Sequence, residues 1–372
     1  MAGFSRTDTS LIARWWWTID RWNLTALIAI AGIGAVMALA ASPPVAERIG
    51  LDTFYFVRRQ FVYLLLGLFI MVGISMLSPR GLRRLAIMCL AGSMVLMVAV
   101  LFVGSEIKGA SRWLHLGAFS LQPSEFVKPS FAVVAAWLFA QGRLDERFPG
   151  YMIASGLFVA IAALLLLQPD VGMTMVVAAI WGVQFFLAGL PLIFVAMVAC
   201  VFIGGGVAAY FVFPHVQSRI DRFLDPAVGE NYQVMRGIEA FQNGGLFGRG
   251  PGEGRVKEVL PDAHADFIFA VTGEEFGLIA CLLIASLFAF VVFRGFSRVF
   301  KENNFFIMLV VIGLLIQFGL QAIINMASAV HLIPPKGMTL PFISYGGSST
   351  LALAYAMGMV LALTREQPGG AR

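Results

Sequence analysis

Ten apolar runs, most of them close to 20 residues long, decide what this chain can become. They lie near 23–43, 59–78, 84–104, 124–141, 151–168, 170–188, 191–213, 267–293, 304–330 and 343–363. A helix of that length crosses roughly 30 Å of hydrocarbon. Inside hydrocarbon only helices and closed barrels satisfy their own backbone. Barrel strands would appear as short alternating segments, and these runs are continuous. The expected fold is therefore all-α: a polytopic integral membrane protein with ten transmembrane helices and a large loop between helices 7 and 8. Composition agrees, because 59% of the 372 residues are hydrophobic and only 13% are charged, too few to cover a soluble surface. The net charge of +5 reads as headgroup and orientation signals, and no nucleic-acid partner is expected.

The whole chain reads as one membrane domain, 1–372. It has an N-terminal segment at 1–22, a large loop at 214–265 and a tail at 364–372. An even number of spans puts both termini on one side. The short flanks on that side carry 13 Lys and Arg residues, among them Arg80, Arg83, Arg84, Arg143, Arg294 and Arg298, against six on the other. The positive-inside rule makes the first side cytoplasmic. The tryptophans of "RWWWTIDRW" (Arg14 to Trp22) suit the membrane interface. Cys89, Cys200 and Cys281 all lie in apolar runs and read as small hydrophobes, with no disulfide or metal pattern.

The polar, Gly- and Pro-punctuated stretches all fall on the outer side, which implies a one-sided chamber. Glu125 and Lys128 are three residues apart on one helix face and can pair; they read either as a structural lock or as a substrate contact. Asp266 stands where the long loop enters the eighth run, walled by Phe267, Ile268 and Phe269. A carboxylate in such a setting can serve as a general base. Glu274 and Glu275, two turns deeper, read as buried hydrogen-bonding groups facing neighbouring helices. "GRGPGEGRVK" (Gly248 to Lys257) is either a flexible loop or a backbone cradle for phosphate, with Arg255 and Lys257 adding charge. The four histidines show no metal-ligand spacing.

Taken together, "GASRWLHLG", "QPSEFVKPS", "QPDVG", "RFLDP", "LPDAHADFIFAVTGEEFG" and "PFISYGGSS" resemble the SEDS (FtsW/RodA) family of bacterial cell-wall polymerases. The likeness spans nearly all ten runs and is strongest to the division branch of alphaproteobacteria. It implies a peptidoglycan glycosyltransferase that polymerises lipid II at the division septum of the inner membrane, releasing undecaprenyl pyrophosphate. The alternatives are an elongation polymerase of the RodA type, a lipid II flippase, or a divisome scaffold. The resemblance makes Asp266 the catalytic residue and maps a charged pair onto Glu125 and Lys128. Arg112, Lys108, Arg255, Lys257 and Ser348 join Lys128 and Glu125 as expected substrate contacts. A divalent cation, Mg or Mn, is implied as cofactor. The implied partners are a class B penicillin-binding protein, FtsI, and other divisome proteins. The family pattern carries glutamate and threonine where this chain has Asp262 and Ala265.

Overall fold

A computed structural model describes residues 10–107, 110–116, 119–189, 232–334 and 337–366, with scattered positions between 191 and 221. Its helices are α1 (Leu11–Thr18), α2 (Arg21–Arg48), α3 (Tyr55–Ser75), α4 (Pro79–Val103), α5 (Pro123–Leu144), α6 (Gly150–Leu167), α7 (Val171–Leu187), α8 (Tyr232–Gly244), α9 (Val256–Val259), α10 (Ile268–Val299), α11 (Phe305–Ala329) and α12 (Gly347–Leu363). Nine of the ten expected runs coincide with α2–α7 and α10–α12. The run at 191–213 falls largely outside the described residues. Six of these helices, α2, α3, α4, α6, α10 and α11, are long and apolar enough to cross a membrane.

Local chemistry sets the helix starts. Asp20 accepts the Trp22 and Asn23 N–H groups at the head of α2, and Ser78 accepts that of Gly81 at the head of α4. Asp170 caps α7 and Asn304 caps α11. Pro79 and Pro123 occupy first helical positions, where a missing N–H costs nothing. Helix α5 is buried along almost its whole length, as are the inner faces of α11 and α12. These three form the centre, and the remaining apolar helices surround them with side chains such as Phe69, Phe102 and Phe293 exposed on the outside. Their exposure fits a lipid-facing surface.

The all-helical expectation misses one element. Three short strands, β1 (Ser105–Ile107), β2 (Ala110–Leu116) and β3 (Phe119–Leu121), form a small antiparallel sheet in the order β1-β2-β3. At this end of the bundle the chain has left the apolar run, so the requirement for helix is gone. The alternation of Arg112, Trp113, Leu114 and His115 then suits a strand.

Candidate active site

Asp266 does not lie in a helix. It sits in the 261–267 turn that feeds α10. The turn is closed by the Ala265 and Asp266 N–H groups, both donating to the Asp262 carbonyl at 3.0 Å. Three successive carbonyls are then held from outside. Tyr345 N–H donates to His264 O at 2.9 Å, Ser344 Oγ to Ala265 O at 2.5 Å, and Asn325 Nδ2 to Asp266 O at 3.1 Å. The backbone that carries the carboxylate is thereby fixed against two other parts of the chain. Asp266 itself is half-buried beside the buried Phe267. A side chain added at Gly337 would start 3.5 Å from its Oδ2, so the 337–340 segment, a connecting strand of chain without regular secondary structure, begins beside the carboxylate.

Helix α11 organises this strand through a polar stripe that the sequence reading overlooked. Gln317, Gln321, Asn325 and Ser328 are all buried, and their spacing places them on one helical face. Asn325 Nδ2 also donates to Met338 O at 2.6 Å. Gln321 Nε2 donates to Thr339 O at 3.1 Å and to Thr339 Oγ1 and Ser349 Oγ at 3.2 Å. Its Oε1 accepts from Lys128 Nζ at 3.1 Å, and Lys128 Nζ stands 2.8 Å from Glu125 Oε2. A continuous polar chain therefore runs from Glu125 through Lys128 and Gln321 to the strand beside Asp266. Gln321 lies one helical turn, about 6 Å, from Asn325 along α11. Four amides and hydroxyls spaced as a helical stripe inside an apolar run were a readable signal.

The expected substrate contacts separate into distinct settings. Lys128 is fully buried and engaged by Glu125 and Gln321. Arg112, on β2, donates to the carbonyls of Gln168 and Pro169 and lies 3.4 Å from Asp170 Oδ2, bracing the "QPDVG" turn. Ser348 is buried, accepting the Gln122 N–H at 3.0 Å and donating to Ser120 O at 3.1 Å. Lys257 is buried and paired with Glu275 at 2.5 Å. Arg255 is exposed and forms no ion pair with any described residue. Lys108 lies outside the described residues.

A family model described as "Cell cycle protein" (FtsW/RodA/SpoVE) matches residues 21–368. The chain belongs to the FtsW/RodA/SpoVE family. It is 45% identical over 367 residues to the probable peptidoglycan glycosyltransferase FtsW of Caulobacter vibrioides, covering 98% of this chain and 94% of that one. It is 36% identical to the protein of the same name from Escherichia coli O6:H1, over 93% of this chain and 86% of that one. Among solved structures, a chain described under "Structural coordination of polymerization and crosslinking by a peptidoglycan synthase complex" matches with TM-score 0.77 at 28% identity, covering 93% and 97% of the two chains. The Thermus thermophilus rod shape determining protein RodA matches with TM-score 0.68 at 28% identity, over 95% of this chain and 99% of that one.

In this family member the Gly-rich segment is neither loose nor open to phosphate. Its backbone wraps the chain's own carboxylates. Glu274 accepts the Arg255 and Val256 N–H groups at 3.0 Å, and Glu275 accepts that of Gly252 at 2.9 Å. Both glutamates are buried; their partners are Gly252 and Arg255 in the loop and Val256 and Lys257 of the short helix α9, so the expectation of partners on neighbouring helices holds only for α9. The loop also enters a break in α10 at Gly277, whose φ of 77° and ψ of −178° are non-helical. Leu278 N–H donates to Gly245 O at 2.9 Å, and a Cβ on Gly277 would meet Gly248 N at 2.4 Å. Only glycine fits both the angle and the space. Among the described residues no three His, Cys, Asp or Glu side chains converge to hold a metal ion. A cage for the implied divalent cation is therefore not built from these residues.

Beside the site, His264 packs against Phe56 with ring centroids 4.6 Å apart and against Tyr345 at 5.2 Å. Burial pushes its pKa down to about 4; Asp262 opposes the shift and Arg48 reinforces it. The ring is neutral at pH 7 and belongs to the packing beneath the Asp266 turn.

Proposed function

We propose that this protein is a peptidoglycan glycosyltransferase that polymerises lipid II during cell division, with Asp266 as general base. The observation that carries this reading is the clamped Asp266 turn at the outer end of α10, three carbonyls held by Ser344, Tyr345 and Asn325. A lipid-linked sugar presents its reacting carbon at the membrane–water boundary, and a base must be held at that depth. The names of the relatives support the same activity.

In the proposed reaction an Asp266 carboxylate oxygen takes the proton of the acceptor's GlcNAc 4-hydroxyl. The freed oxygen forms a bond to the anomeric carbon of the donor. The bond from that carbon to the pyrophosphate oxygen breaks, and its electron pair leaves with undecaprenyl pyrophosphate. Attack from the opposite face inverts the centre and gives a β-1,4 link. Arg255, exposed and in no ion pair with a described residue, is the cation assigned to meet the leaving pyrophosphate. Arg112, Lys128 and Lys257 are engaged by the protein's own groups, at the 168–170 turn, at Glu125 and Gln321, and at Glu275, and are assigned no direct contact with the substrate. A divalent cation would arrive with the pyrophosphate and take its ligands mainly from phosphate oxygens.

The proposal extends to location and partners. The protein is placed in the inner membrane at the septum with both termini cytoplasmic, on the distribution of Lys and Arg. A class B penicillin-binding protein, FtsI, is the expected partner, supported by the likeness to a chain of a peptidoglycan synthase complex.

Purified protein supplied with lipid II, alone and with FtsI, tests the activity. Asp266→Asn keeps the side-chain size and removes the base, so polymer formation is expected to fall by about 10²–10⁴ while the melting temperature holds. Near-normal glycan synthesis by that variant would overturn the assignment.

A further inference from the structure

The arginines on the terminal side of the bundle divide into two groups. Arg294 makes two hydrogen bonds to the buried Asp20, from Nε at 2.8 and 2.9 Å, and Arg298 lies 3.4 Å from Asp20 and 2.8 Å from Glu366. Arg365 donates to Thr18 Oγ1 and Ser75 O. These guanidinium groups are consumed in tying α1, α10 and the tail together. Arg80 and Arg83, on the first turn of α4, form no ion pair with any described residue. Arg83 lies 5.2 Å over the Trp137 ring instead.

Those two arginines line an open cavity of about 480 Å³ together with Ser78, Pro79, Asn304 and Phe306. It lies where the apolar helices α4 and α11 begin. Arg143 lies 4.4 Å over the ring of Phe305, outside the lining. Glu302 on the same turn accepts the Asn304 N–H and not a guanidinium. The helix starts contribute little, since Ser78 and Asn304 already cap them. What remains is a cavity with cations on its wall and, among the described residues, no carboxylate in its lining.

We infer that this cavity between the α3–α4 and α10–α11 turns binds the phosphate of an anionic phospholipid headgroup. Guanidinium groups match phosphate oxygens in geometry as well as charge. Basic pockets between transmembrane helices at headgroup depth are suited to such lipids. The inference is independent of the Asp266 chemistry.

Native mass spectrometry of the full-length protein in micelles doped with phosphatidylcholine or phosphatidylglycerol provides the test. Wild type should retain one phosphatidylglycerol in preference to phosphatidylcholine. The R80Q/R83Q variant should weaken that retention roughly tenfold or more. Arg84→Gln removes the same charge from an exposed neighbour outside the cavity and should leave retention within about twofold. Arg80→Gln alone, at an exposed position, gives the readout even if losing the Arg83–Trp137 contact unsettles the fold. Equal losses for Arg84→Gln and Arg80→Gln would show a diffuse basic belt and overturn the site. So would a wild type without headgroup preference, or displacement of the lipid by millimolar inorganic phosphate.

Discussion

Two buried titratable sites set what single side chains do here. His264 has a folded pKa of about 4 against an ordinary value near 6.5, because burial disfavours its charged form. Between those values the unfolded chain binds more protons, so stability rises with pH across that window. His264 therefore contributes fully above about pH 6.5 and its contribution is lost as pH falls toward 4, by roughly 3 kcal/mol at most. Melting curves of wild type and His264→Gln should converge in slope at neutral pH, with the wild type alone losing this increment between pH 6.5 and 4. Equal acid sensitivity in both would remove His264 from the account. The Glu125–Lys128 pair obeys a different rule. Lys128→Met leaves a buried unpaired carboxylate and should cost about 3–5 kcal/mol, whereas Glu125→Gln with Lys128→Met should recover most of that stability. Polymer synthesis by the double variant should persist, since Lys128 is enclosed by Glu125 and Gln321. A stable but inactive double variant would instead make Lys128 a substrate contact.

At the scale of elements, the broken helix α10 and the Gly-rich loop form one unit. Loop amides satisfy Glu274 and Glu275, while loop carbonyls satisfy the amides freed at Gly277. Arg48 extends the unit to α2 by donating to the carbonyls of Glu258 and Leu260. Glu275→Ala would strand the buried Lys257 ammonium and the Gly252 N–H, a loss of about 3–5 kcal/mol for the pair alone. Limited proteolysis should then cut the 248–257 segment much faster than in wild type. Unchanged protection would mean that the loop is held by something other than these carboxylates.

For the whole molecule, the helix ends fall into two layers. Asp20, Ser75, Arg294, Arg298 and Glu366 meet at one end, and the sheet, the Asp266 turn and the Gly-rich loop occupy the other. A cysteine placed at the exposed Glu253 should react with an impermeant thiol reagent in cells whose outer membrane alone is permeabilised. Labelling only after inner-membrane lysis would invert the proposed orientation.

Apolar length and the polar, Gly- and Pro-punctuated stretches between the runs made nine helices legible from sequence, because a bilayer leaves a chain so little choice of backbone. The same reading located Asp266, as a carboxylate at the edge of an apolar run, and found the Glu125–Lys128 pair from its spacing alone. It failed where the outcome depended on which distant groups meet. The Gly-rich segment read either as a flexible loop or as a cradle for phosphate, and its amides are taken by Glu274 and Glu275. Lys257 looked available and is paired. Asn325 and Gln321 were passed over, yet Asn325 holds the Asp266 carbonyl from 59 residues away in sequence and Gln321 holds Thr339 from 18. Periodicity is a local property and survives in the sequence. The partner of a buried charge is chosen by packing across the whole bundle, where leaving it unpaired is costly, and only the tertiary structure decides it.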